Sequence, residues 1–136
     1  MIVVAVIAIL AVVAYPAYTE SVRKSRRQDG ITLINQIAQA QERWRSTCPA
    51  YALLPATANA NDCNVATSGL GVPNPTTGYY TATIPAANAA GYSVRATATG
   101  AQASDAKCLT LTMTVAAGNI AYASTGSATA AQCWNR

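Results

Sequence analysis

Reactive side chains are scarce in this 136-residue chain, and the kinds present narrow what it can do. There is no His, and the carboxylates are Glu20, Asp29, Glu42, Asp62 and Asp105. Ser, Thr and Tyr are plentiful, but no imidazole accompanies them to make a nucleophile, and five carboxylates leave little for general acid–base work. No catalytic residue is expected, and no cofactor. The four cysteines, Cys48, Cys63, Cys108 and Cys133, include no C-x-x-C pair. A zinc site would need all four scattered thiolates, so no metal is expected either. Two disulfides in an oxidising compartment are the simpler reading.

Basic groups are the other chemistry on offer. Nine Lys and Arg against five acids give +4, which invites a polyanionic partner. The distribution is uneven: Arg23, Lys24, Arg26 and Arg27, with Glu20, account for +3 of it. Residues 28–136 hold Arg43, Arg45, Arg95, Lys107 and Arg136 against four acids, a net of +1. Contact with a nucleic-acid backbone needs several cations on one surface. These five are the candidate DNA contacts if they cluster.

The elements that must carry these groups are legible. Met1 to Ala14 reads MIVVAVIAILAVVA, without one polar side chain. Apolar on every face, such a helix has to be buried all round, in lipid or among other helices. The uncharged stretch reaches Thr19, roughly 28 Å of helix against a hydrocarbon core of about 30 Å. A cleavable signal is the competing reading, and the lack of a basic region ahead of the run argues against it. Pro16 should kink this helix, since it lacks a donor and collides with the preceding turn. Beyond it, Ile34, Ile37, Gln41 and Trp44, together with Leu33 and Ala40, recur at spacings of three and four and mark an amphipathic continuation. Trp44 is expected as a core anchor against a sheet, and Tyr15 and Tyr18 as interfacial aromatics rather than an electron path.

Strand patterns follow. Tyr80, Ala82 and Ile84 alternate with Thr, as do Tyr92, Val94 and Ala96 with Ser93 and Arg95; Leu109, Leu111, Met113 and Val115 alternate with Thr110, Thr112 and Thr114. A Gly118-Asn119 turn then leads into a short strand from Ile120 to Ala123. One face of each strand is apolar and the other hydroxylic, as in an antiparallel sheet covered on one side, with the Ile34/Ile37/Trp44 helix face as the cover. The expected class is α+β: a long N-terminal helix whose second half packs on a four-stranded antiparallel sheet. Residues 1–27 would protrude and 28–136 form a globular head. Of three possible disulfide connectivities, the sequential one, Cys48–Cys63 with Cys108–Cys133, is favoured. It closes a loop poor in large side chains and ties the carboxyl terminus to a strand.

These residues resemble the type IV pilins. The resemblance lies in the MIVVAVIAIL run, Tyr15-Pro16-Ala17-Tyr18, the Arg23 to Arg27 patch and an Ala/Gln-rich helix ending in Trp44-Arg45-Ser46. Gly78-Tyr79-Tyr80-Thr81-Ala82-Thr83-Ile84, Asp105-Ala106-Lys107-Cys108-Leu109 and Cys133-Trp134 are similar to the PilE/ComP branch of that family. In the family the mature chain opens with a methylated Phe and a Thr-Leu-Ile-Glu-Leu-like stretch before the run that starts here at Met1. The resemblance therefore implies that the first few residues, with the cleavage motif and the assembly glutamate, are missing.

It also implies a life as one of many identical subunits in an extracellular type IV pilus filament that serves surface adhesion and twitching motility. Before assembly the subunit would sit in the inner membrane, handled by the pilus assembly machinery. Val3, Ala5, Ile7, Ala8, Leu10, Ala11, Ala14 and Pro16 would pack the filament core. Alanines at every third position allow close helix approach, and the stretch from about Ala8 to Tyr15 would lose helicity on assembly. The basic patch is expected at headgroup level or paired with carboxylates of neighbouring subunits, Glu20 and Asp29 being close candidates; a DNA-binding strip is the sharper reading of it. The alternative function is a minor pilin acting as a DNA-uptake receptor through basic residues of the head.

Overall fold

The computed structural model describes residues 2–56, 63–64 and 68–136, without the side chains of Ala5, Ala8, Ile9, Ala11 and Val13. A single helix, α1, runs from Ile2 to Arg45 and passes through Pro16 unbroken. The hydroxyl of Thr19 donates to the Pro16 carbonyl at 2.9 Å. Along the first half, Val3, Ile7 and Leu10 are 70%, 60% and 63% exposed, and Ala14 and Pro16 are exposed too. The described side chains of the apolar run are thus left exposed in the single chain. The expected core-packing side chains Ala5, Ala8 and Ala11 lie outside the described residues. Among the described residues, no helix is long and apolar enough to cross a membrane.

Four strands, β1 (Tyr80–Ala87), β2 (Gly91–Ala98), β3 (Thr110–Ala116) and β4 (Asn119–Thr125), form one antiparallel sheet in sequence order. Cα partners Ala82↔Ala96, Ala96↔Leu111 and Met113↔Tyr122 align the apolar positions on one face. Leu33, Ile34 and Ile37 of α1 close that face against Tyr80, Val94 and Leu111, all buried. The other face carries Thr83, Arg95 and Thr112 in one row, and Thr81, Thr97, Thr110 and Thr125 in the next. Gly30 is where helix and sheet come closest. A Cβ there would stand 3.0 Å from the Tyr80 ring, so this interior Gly, unfavourable for a helix, lets the ring lie against the backbone.

Several expectations shift by short distances. Trp44 is buried, but with Cys48 and Ala52 beneath the loop that follows α1, not on the sheet; its indole N–H donates to the Ala50 carbonyl at 3.0 Å. Gln41 makes two bonds to the Ala52 backbone, at 2.7 and 3.0 Å, which pins the same loop. The β3–β4 turn is Ala117-Gly118, both at positive φ, the two-residue pattern that matches sheet twist. Leu109 is exposed and precedes β3, because Cys108 takes the inward position to reach Cys133. Ile120 shares the core-side face of β4 with Tyr122 but is exposed, and Tyr122 is the residue packed on the core. Contact between α1 and the rest of the chain begins at Glu20 and Arg23, ahead of residue 28. Cys48 is bonded to Cys63, and Cys108 to Cys133.

Candidate nucleic-acid interface

The chain between β2 and β3 and the chain after β4 come together beside the middle of α1. A 3-10 turn, Gly100–Ser104, ends at Asp105, and the next residues run into Cys108. After β4, Gly126 adopts φ 133°; any side chain there would collide with the Lys107 carbonyl. Ser127 and Ala128 then donate backbone N–H groups to Ala106 and Lys107 at 3.0 and 3.1 Å. The short helix α2, Ala130–Cys133, starts with a capping box between Thr129 and Gln132. The Cys108 disulfide holds its end, as do the Trp134 indole on the Ala123 carbonyl at 3.0 Å and the edge-on Tyr122–Trp134 contact at 4.7 Å.

A cleft of about 530 Å³ separates this folded-back tail from α1. Glu20, Lys24 and Arg27 line it from α1, Lys107 from the connection between β2 and β3, and Asn135 and Arg136 from the tail. Arg27 is not available to a ligand. Its side chain is 5% exposed and clamps Asp105, which is fully buried, at 2.7 Å through Nε and 2.9 Å through Nη2. Asp105 also accepts from the Gln102 amide at 2.9 Å and the Lys107 backbone at 3.3 Å. Burial pushes the Asp105 carboxyl up, but the hydrogen bonds and charge of Arg27 outweigh it and hold the group below the ordinary carboxylate value. Arg27 is raised by the same bond to Asp105, partly opposed by burial.

The four residues read as one basic patch do not form one free surface. Arg23 reaches the Ser104 hydroxyl at 3.5 Å, Lys24 enters the cleft, Arg26 stacks over Tyr79 at 4.4 Å and Arg27 is buried. Burial in its own head takes Arg27 out of any patch, since an unpaired charge there would be far costlier than one paired with Asp105. The five candidate DNA contacts also divide. Arg43 is exposed at the end of α1. Arg45 bonds the Cys48 carbonyl at 2.9 Å and lies 5.7 Å over Tyr51. Arg95 stands on the hydroxylic face of the sheet, between Thr83 and Thr112. Lys107 and Arg136 line one cleft, together with Lys24. Arg136 is fixed by stacking on Tyr122 at 3.9 Å, with Nη2 donating to the Tyr122 hydroxyl at 2.9 Å. Grouping Lys24 with Lys107 needs the fold, because no local spacing links them.

Among the described residues no three His, Cys, Asp or Glu side chains gather as metal ligands. What the cleft presents is positive charge on a polar, rigid wall, suited to oxyanions.

A protruding apolar helix, a one-sided antiparallel sheet packed on its second half and a disulfide-closed tail define a type IV pilin. The family described as type IV minor pilin ComP, DNA uptake sequence receptor, matches residues 16–112, and the chain belongs to it. The matched stretch runs from Pro16 through β1 and β2 into β3; the tail side of the cleft beyond Thr112 lies outside it. No curated protein gives a significant match to the chain.

Proposed function

We propose that this protein is a minor pilin that captures duplex DNA at the cell surface, with Lys24, Lys107 and Arg136 as the phosphate-binding group. The observation that carries the reading is the convergence of these three cations on one cleft in a chain of a DNA-receptor pilin family. Phosphate contacts supply affinity and register, and base contacts supply sequence. Two amides line the same cleft. The Gln132 carbonyl is committed to the α2 cap, so Asn135 is the amide suited to a base edge, where Asn pairs with adenine. The role is one of binding and assembly, without a catalytic step.

Filament membership rests on the apolar half of α1. Val3, Ile7, Leu10 and Ala14 are exposed in the single chain, and a helix of that kind moves from lipid into a bundle of like helices without meeting water. Inner-membrane anchorage before assembly rests on the sequence, in which residues 1–19 carry no charge. The neighbours in the filament are other pilin subunits, delivered by the assembly machinery, and the head faces outward.

The test is duplex binding by the full chain in detergent micelles across a salt series. Three phosphate contacts give a log–log slope of about −2.7, or about fortyfold weaker binding between about 50 and about 200 mM salt. Binding absent at the lower salt, or a flat salt response, overturns the reading.

A further inference from the structure

One contact in the cleft opposes the function proposed for it. Glu20 extends from α1 so that Oε2 lies 3.1 Å from Lys107 Nζ and Oε1 lies 3.4 Å from Arg27 Nη2. Arg27 has its carboxylate already, in the shorter two-pronged bond to Asp105. For Lys107 the position is different. Among the described residues, Glu20 is the one carboxylate paired with it. In the free protein, then, one of the two lysines that line the cleft is paired with a carboxylate of the cleft itself.

We propose that Glu20 is an internal competitor for the anion: its carboxylate holds Lys107 until a phosphate group displaces it. The inference rests on the reading of the cleft as a phosphate site. Geometry favours exchange. The pair is 53% exposed on the Lys107 side and 39% on the Glu20 side, and open pairs of this kind are weak and easily replaced by other ions. The buried Arg27–Asp105 pair beside it is not replaceable in this way, and it stays in place while Lys107 changes partner. The consequence is a raised threshold: a polyanion must offer a phosphate at Lys107 together with further contacts at Lys24 and Arg136.

The experiment is fluorescence anisotropy of a labelled duplex with the full chain in detergent micelles, over a salt series. Glu20→Gln binds about three- to tenfold tighter at about 50 mM salt, with a modestly steeper slope, since the Glu20–Lys107 pair it removes is itself weakened by salt. The advantage shrinks toward about 200 mM, as salt screens the pair in the parent. Glu20→Ala, which removes the polar group altogether, gives the same gain. Asp29→Asn deletes the same charge from an exposed position of α1 outside the cleft and changes neither affinity nor slope. Unchanged or weaker binding in both Glu20 variants, or an equal gain in Asp29→Asn, overturns the proposal. Lys24→Glu with Lys107→Glu separates the two levels: if it abolishes binding while the Glu20 variants match the parent, the competitor role alone has failed. If it binds like the parent, the phosphate-site reading has failed with it.

Discussion

Arg27 and Asp105, 78 residues apart in sequence, form a two-pronged ion pair at 2.7 and 2.9 Å with almost no solvent contact. This pair joins the helix to the segment that carries Lys107 and thereby sets the width of the cleft. Removing one partner strands the other charge in the interior. Asp105→Ala should therefore cost about 3–5 kcal/mol in urea unfolding. Replacing both, as Arg27→Met with Asp105→Leu, should cost much less, because no buried charge is left alone. Equal losses in the single and double variants would show that the pair contributes through packing rather than charge.

Stability should fall at both ends of the pH scale, for different groups. The folded Asp105 carboxyl lies below its unfolded value, so its contribution is complete above about pH 4 and is lost as pH drops toward the folded value. Tyr92 behaves in the opposite sense. Burial, with Glu42 and the neighbouring tyrosines, pushes its hydroxyl up to about 12. Its contribution is complete below about pH 10 and disappears between there and about pH 12. Urea midpoints across pH should show both limbs; Tyr92→Phe should shrink the alkaline one, to which Tyr80, also raised by burial, contributes, and leave the acid one unchanged.

Gly30 sets helix propensity against packing. In an exposed helix, Gly→Ala gains about 1 kcal/mol. Here the new methyl would press on Tyr80, which is fully buried and within 3.4 Å of the Gln102 amide through its hydroxyl. Overpacking of this kind costs about 1–3 kcal/mol. Gly30→Ala should lower the thermal midpoint, and a rise would mean that the ring can move aside.

The two disulfides should separate stability from binding. Their sequence separations, 15 and 25 residues, correspond to about 3 and about 3.5 kcal/mol in the chain-entropy account. Replacing either pair by Ser should destabilise the head by a similar amount. Only the Cys108/Cys133 replacement should also weaken duplex binding, because that bond anchors α2 and the tail wall of the cleft. The readout is affinity measured well below both melting temperatures.

Periodicity explains what the sequence made legible. The 3.6-residue recurrence of Ile34, Ile37 and Trp44 and the two-residue recurrence of Leu111, Met113 and Val115 are local, and they placed the helix and strands. Cysteine order favoured the pairing that the fold contains. The misplacements came from non-local demands. Cys108 turned inward and displaced Leu109, the turn centred on Ala117 and Gly118 with Asn119 already in β4, and Trp44 followed the loop after α1. Charge was least legible. A run of four basic residues reads as one patch, yet successive helix positions point in different directions, and a single distant carboxylate removed Arg27. The cleft exists because the tail folds back onto α1, which no spacing in the sequence announces.

The central claim is that duplex DNA binds where Lys24, Lys107 and Arg136 meet, and not at Arg43 by the helix end or Arg95 on the sheet face. Salt-dependent anisotropy of Lys24→Glu/Lys107→Glu against Arg43→Glu/Arg95→Glu tests it with equal charge changes. The account predicts that the first pair loses at least about a hundredfold in affinity at about 50 mM salt and flattens the slope by about two. The second pair should stay within a few-fold of the parent. Equal loss in the two variants, or loss confined to the second, would contradict it.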